Sequence, residues 1–143
     1  MVVYLSGTIT ADRLTHDWRR RATAALEGTD PFIDVRDPLR GKDLASLSAD
    51  GLQCGNIPSL LVTRDKKDIR ESDVMLINTV GMEALKRQSI GTWSEMGYAD
   101  AHGVALIIVA THPDILRHPF IQEAPATIVA TLEEAIAAIL WLR

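Results

Sequence analysis

The chain of 143 residues is short of several things, and each shortage narrows what it can be. Its single cysteine, Cys54, excludes an internal disulfide and suits a reducing compartment. That cysteine sits in a polar stretch beside glycine, a setting for a bystander rather than a nucleophile. The four histidines show no ligand spacing with cysteine or acid, so no metal and no other cofactor is expected. No apolar run approaches membrane-spanning length, and the first residues lack the basic-then-apolar pattern of a secretory leader. The expectation is a cytoplasmic protein with no membrane partner. Basic residues are in deficit: 15 Lys and Arg against 19 Asp and Glu leave a net charge of −4. That balance argues against a nucleic acid polymer as partner. The run Arg19-Arg20-Arg21 reads as a solvated helix face.

Glycine is also missing where two large enzyme classes need it. The turn Ser6-Gly7-Thr8-Ile9-Thr10 follows an apolar run and precedes a helical one. It has one glycine where a dinucleotide fingerprint has three, and no lysine follows as in a P-loop. Nicotinamide and ATP chemistry are therefore disfavoured. The turn can still offer backbone N–H groups and hydroxyls to a sugar or phosphate, or be a plain tight turn.

What is present suits one globular domain spanning residues 1–143, with 47% hydrophobic and 24% charged residues. The order reads as β-α repeated five times. Strands are expected at Val2 to Ser6, Phe32 to Val35, Val74 to Asn78, Val104 to Ala110 and Thr127 to Ala130. Helices are expected from about Asp12 to Leu26, from Pro58-Ser59 to about Glu71, and from Thr92 to His102. The last of these stops at Gly103. His112-Pro113 and His118-Pro119 punctuate the next loop and a short helix. Thr131 to Glu134 is a capping box opening the last helix, which ends at Trp141. Residues 36 to 58 read as a long polar loop, and a second polar loop precedes Thr92. Unbroken apolar strands alternating with helices imply a doubly wound parallel sheet.

Two carboxylates stand out. Leu61, Asp65 and Ile69 share one stripe of their helix, so Asp65 is either paired, with Arg64 or Lys66, or faces a cleft. Glu95 falls three residues after Thr92, where a capping box would place it in a first turn. In open α/β sheets the same position borders the ligand crevice at the strand ends. Spacing alone leaves both readings open for each residue.

Three segments in register carry a resemblance. Tyr4-x-Ser6-Gly7, the stretch from Arg64-Asp65 through Ile69 to Ser72-Asp73-Val74-Met75-Leu76, and Gly91-Thr92-x-x-Glu95-Met96-Gly97-Tyr98-Ala99 together resemble the nucleoside 2-deoxyribosyltransferase family. That family includes relatives that hydrolyse nucleotide N-glycosidic bonds. The resemblance runs from Val3 to about Ile108. It implies a flavodoxin-like fold with a five-stranded sheet and a covalent, retaining reaction at the anomeric carbon of a sugar. By position, Glu95 would be the nucleophile, Asp65 the acid that helps the base leave, and Tyr4 the residue that orients Glu95. Substrate contacts would come from Ser6, Gly7, Thr8, Ile9, Arg40, Asn78, Ser89 and Gly91, with Lys42 a further candidate for phosphate. The transferases usually carry Asp six residues before the nucleophile, whereas the nucleotide hydrolases resemble this chain in having serine. An Asp would repel a phosphate that a hydroxyl can bind, though Ser89 can equally be a plain loop serine.

The first reading is thus transfer of a deoxyribosyl group from a nucleoside or 5′-monophosphate to a free nucleobase. The alternative is hydrolysis of the monophosphate to base and sugar phosphate, and a further one is a nucleotide-binding module without turnover. The resemblance also implies a homodimer or higher oligomer. The apolar excess of Ala135, Ile136, Ile139, Leu140, Trp141 and Leu142 on the last helix agrees with that.

Overall fold

A computed structural model of the chain describes residues 1–9, 16–40, 47–48, 51–52 and 58–143. Its main sheet contains β1 (Val2–Gly7), β2 (Asp34–Arg36), β5 (Val74–Asn78), β6 (Ala105–Val109) and β7 (Ala126–Val129). The strands lie in the order β2-β1-β5-β6-β7, and every pair is parallel. This is the doubly wound, flavodoxin-type order, with its switch point between β1 and β5. A separate two-stranded antiparallel pair, β3 (Leu47–Ser48) and β4 (Gly51–Leu52), lies within the stretch read as an open loop.

The period-2 geometry of a strand sorts β1 between two cores. Val3 and Leu5 pack with α1 (Asp17–Thr29) and α7 (Leu132–Trp141), through Trp18, Ala22, Leu26, Ala135 and Ile139. Tyr4 faces the other way and packs with α2 (Pro58–Arg70) and α4 (Ile90–Ala101), through Ile69, Met96 and Ala99. Ser6, two residues on, shares the Tyr4 side. The interior strands β1 and β5 are almost wholly buried, as strands covered on both faces must be.

Several boundaries differ from the sequence reading. The second strand is Asp34–Arg36, and Phe32 is 76% exposed, because only Ile33 of that apolar pair turns inward. The last strand begins at Ala126. The second polar loop contains a helix, α3 (Val80–Leu85), which is too short to show a period. Two short helices, α5 (Pro113–Leu116) and α6 (Pro119–Gln122), follow β6, each with histidine at the N-cap and proline after it. The start of the first helix near Asp12, and Leu14, Thr10, Lys42 and Cys54, lie outside the described residues. The capping box at Thr131 and Glu134 is formed, and Gly103 takes a positive φ of 71° after α4.

Glu83 of α3 fastens the segment leading to α4. Its carboxylate accepts from the Thr111 and His112 N–H groups and from the Thr79 and Thr111 hydroxyls. Burial pushes this carboxyl up, but those hydrogen bonds outweigh it and hold it below the usual range. Lys86, which ends α3, adopts φ 50°. A side chain there costs about 1–2 kcal/mol relative to glycine. Glycine loses more chain entropy on folding, which takes back part of that gain. Lys86→Gly is expected to stabilise the fold by up to about 1 kcal/mol in urea unfolding, with an unchanged m-value.

Candidate active site

The carboxyl ends of β1 and β5 meet the start of α4, and the chemistry-bearing side chains gather there. Tyr4 and Ser6 project from one face of β1 because they are two residues apart. Both reach the same carboxylate. The Tyr4 hydroxyl donates to Glu95 Oε1 at 3.1 Å, and the Ser6 hydroxyl donates to Glu95 Oε2 at 2.5 Å. Glu95 is partly buried and each of its oxygens is held by a separate donor. Tyr4 is fully buried, and its proton affinity is raised by burial first, then by the charges of Glu95 and Asp65. It therefore stays a neutral phenol and a hydrogen-bond donor.

Glu95 is not a cap. The α4 helix begins at Ile90 with Ser89 as N-cap, two residues earlier than its pattern suggested, so Glu95 lies in the second turn. Ser89 Oγ accepts from the Thr92 N–H at 3.4 Å and from the Thr92 hydroxyl at 2.9 Å. A cap at Ser89 leaves the Thr92 side chain free of that task, and Glu95 free for other partners. Burial raises the Glu95 proton affinity, as does the Asp65 charge. The Ser6 and Tyr4 hydrogen bonds and the Arg19 charge lower it without cancelling the effect.

Asp65 comes from α2, with its side chain 13% exposed, and its charge acts on both Tyr4 and Glu95. Arg64 lies beside it, with Nη2 3.1 Å from Asp65 Oδ1. The same guanidinium donates to the carbonyls of Pro38 and Arg40, so it ties α2 to the loop after β2. Asp65 is paired with Arg64, one of the two alternatives its helical stripe left open, and its charge reaches Glu95.

The other sequence-flagged residues fall into two groups. Gly7 lies in register with Asn78, and a Cβ there would sit 2.8 Å from the Asn78 carbonyl oxygen and 3.0 Å from Trp18. Only glycine fits that close approach. Asn78 is buried and its Oδ1 accepts from the Val80 N–H, starting α3. Thr8 is buried, and among the described residues its hydroxyl has no hydrogen-bond partner. Ile9 is partly buried at the end of the described turn, and Gly91 occupies the first turn of α4 with open space around it. Arg40 pairs with α2: its Nη2 lies 2.5 Å from Asp68 Oδ2.

Arg19 is the residue the sequence reading misplaced. Arg20 and Arg21 are 82% and 63% exposed, as a solvated face requires, but the Arg19 side chain is 1% exposed. It shares the core side of α1 with Trp18 and Ala22, and that helical phase was the signal available in the sequence.

Among the described residues no three His, Cys, Asp or Glu side chains form a metal-binding group, and no helix is long and apolar enough to cross a membrane. A separate cavity of about 600 Å³ lies against α4, α5 and α6, walled by Trp93, Met96, Ile115, Phe120 and Ile121. It includes none of Tyr4, Ser6, Asp65 or Glu95.

Compared by sequence, the chain matches no protein-family profile and no curated protein. Compared by structure, it is similar to a conserved protein from Enterococcus faecalis, with a TM-score of 0.72 and 15% identity over 100% of this chain and 99% of that one. It is also similar to the CMP N-glycosidase BcmB of Clostridium botulinum, with a TM-score of 0.63 and 17% identity over the whole of both chains. At such identities the likeness establishes the fold.

Proposed function

We propose that this protein is an enzyme of the nucleoside 2-deoxyribosyltransferase superfamily that hydrolyses the N-glycosidic bond of a nucleoside 5′-monophosphate. The observation that carries this reading is the carboxylate of Glu95, held at both oxygens by Tyr4 and Ser6 beside a second acid, Asp65. Burial and the Asp65 charge raise the proton affinity of Glu95, while the Ser6 and Tyr4 donors favour its anion. In the proposed reaction Glu95 attacks as the carboxylate and Asp65 carries the proton that the leaving base takes. Arg64 opposes this at Asp65, from the more exposed side of that pair.

The chemistry then balances. A Glu95 oxygen bonds to C1′ as the C1′–N bond breaks, its electron pair leaving with the base and the Asp65 proton following. Water next attacks C1′ and gives its proton to Asp65. The ester breaks, and Glu95 returns as carboxylate with a sugar 5-phosphate released. Departure of the base passes through an oxocarbenium-like state, which the nearby anion stabilises.

Ser89 and the start of α4 support a phosphate over a bare 5′-hydroxyl. Ser89 Oγ accepts two hydrogen bonds, so its own proton is free to donate outward. Helix geometry leaves the Ile90 and Gly91 N–H groups without intrahelical acceptors, a setting that favours an anion. Glu95 lies about 9 Å further along the helix axis, roughly the reach of a pentose with its 5′-phosphate. The whole-chain likeness to a CMP N-glycosidase supports hydrolysis ahead of transfer to a second base.

The test is a panel of nucleosides and 5′-monophosphates, with and without added free base, followed by chromatography. Free base and sugar phosphate are expected from one or more monophosphates at a rate that added base leaves unchanged. A new nucleoside formed only when base is added would restore the transferase reading. No release from any substrate would support a binding module.

A further inference from the structure

Arg19 has no part in the steps above, yet the fold buries it completely. Burying a guanidinium is costly unless carbonyls and counter-charges receive it, and an apolar residue would fill this side of α1 at lower cost. Its neighbours say what it does. The side chain reaches from the α1 side over the end of β1, where Nη2 donates to the Gly7 carbonyl at 2.9 Å. Nη1 lies 3.4 Å from the Thr8 carbonyl, Nε 3.6 Å from Asp37 Oδ1, and the guanidinium carbon 4.6 Å from the Trp18 ring centre. Gly7 directly follows Ser6, whose hydroxyl grips Glu95 from the opposite face of the strand. A fixed cation thus lies one residue away from the group that holds the nucleophile.

We propose that Arg19 is a positioning residue for cleavage at Glu95. Its buried guanidinium pins the Gly7–Thr8 turn that carries Ser6, and its charge keeps the Glu95 carboxylate ionised and nucleophilic. Tyr4 and Ser6 from β1 hold Glu95 directly, Asp65 from α2 acts on it by charge, and Arg19 from α1 acts on it by charge from behind the strand. Asp65 works against the anion, Arg19 works for it, and Asp37 partly offsets Arg19. Burial draws the Arg19 proton affinity down, while the Asp37 and Glu95 carboxylates support its charge, so the Arg19–Glu95 coupling is mutual. The inference rests on Glu95 being the nucleophile of the proposed reaction, but its main readout does not require turnover.

The experiment follows the Glu95 carboxyl carbon by NMR titration in the full chain, its resonance assigned by loss in Glu95→Gln. Wild type, Arg19→Gln and Arg19→Lys are compared, and kcat and KM are measured against pH with cytidine 5′-monophosphate as probe. Arg19→Gln is expected to move the Glu95 midpoint up by about one pH unit or more, a tenfold rise in proton affinity. The acid limb of kcat should move with it while KM changes less than about threefold. Arg19→Lys keeps the charge and should hold the midpoint within about half a pH unit of wild type. A midpoint unmoved in Arg19→Gln overturns the proposal, as does an equal rise in both variants. If Arg19→Gln does not fold, Arg19→Lys decides: a midpoint near wild type supports the charge, and a rise of about one pH unit rules it out. A wild type that releases no base tells against the N-glycosidase reading alone, because the titration is read without catalysis.

Discussion

Glu95→Gln is expected to lower kcat by at least about a thousandfold and, at neutral pH, to raise the melting temperature. The two effects share one cause. The substitution keeps the shape of the side chain, and one of Tyr4 and Ser6 can still donate to the remaining oxygen while the other hydroxyl turns to accept from the new amide, but it removes the anion that attacks C1′ in the proposed reaction. Removing a nucleophile that acts with other groups as a unit costs most of the chemical acceleration. The stability gain follows from burial, which first and foremost raises the proton affinity of Glu95 in the folded state. Because the native carboxyl holds its proton to higher pH than the unfolded chain does, stability falls as pH rises through that window. Glutamine lifts this penalty above the window. The advantage should shrink toward about pH 4, where the wild-type carboxyl is protonated in both states. The wild-type activity should show the matching sign, lost on acidification at a higher pH than an ordinary carboxylate would give. Calorimetry across pH, alongside turnover, checks both. Full activity in the variant, or a melting temperature lowered at pH 7, would contradict the assigned role.

Ser89→Asp separates a phosphate site from a mere cap. Aspartate caps a helix as well as serine does, and its charge suits a helix N-terminus, so stability should hold or rise slightly. Against a 5′-phosphate the same charge is repulsive. Two unit charges about 4 Å apart at intermediate dielectric interact by about 4 kcal/mol. We expect kcat/KM for monophosphates to fall by about 10² or more, with free nucleosides tolerated or improved as the carboxylate accepts from their 5′-hydroxyl. Steady-state kinetics on matched pairs, one base with and without the phosphate, gives the answer. Small and equal changes in both would make Ser89 a cap alone.

The fold was legible where the chain is buried and periodic. Val74 to Asn78 and the stretch to Ala110 are unbroken apolar runs, and both are covered interior strands. The edge strands were legible only roughly, because β2 and β7 bury little and so leave little pattern. The α3 helix was invisible for a different reason: its six residues make less than two turns, and Glu83 fastens it through contacts distant in sequence. At the site, spacing alone named Glu95 and Asp65 but could not choose between cap and nucleophile. The capping reading required Thr92 to be the N-cap, and the N-cap is Ser89, a shift of three residues that patterns rarely resolve. The convergence of Tyr4 and Ser6 on one carboxylate follows from strand alternation, but the partner arrives from residue 95 and only the fold brings it there. Arg19 was hidden in plain view between two exposed arginines. Its burial follows from helical phase, and its partners from the turn that the helix supports.

The decisive measurement is the intact mass of the protein after incubation with a 2′-fluoro-2′-deoxyarabino nucleoside 5′-monophosphate. Fluorine at C2′ destabilises the oxocarbenium-like state and slows release from the nucleophile, so a covalent intermediate accumulates. The expected result is a single addition of one fluoropentose phosphate, localised by peptide mapping to Glu95, with one equivalent of base released. That addition should be absent in Glu95→Gln. Release of base from an unmodified protein, or an addition on any other residue, would contradict a glycosyl–Glu95 intermediate.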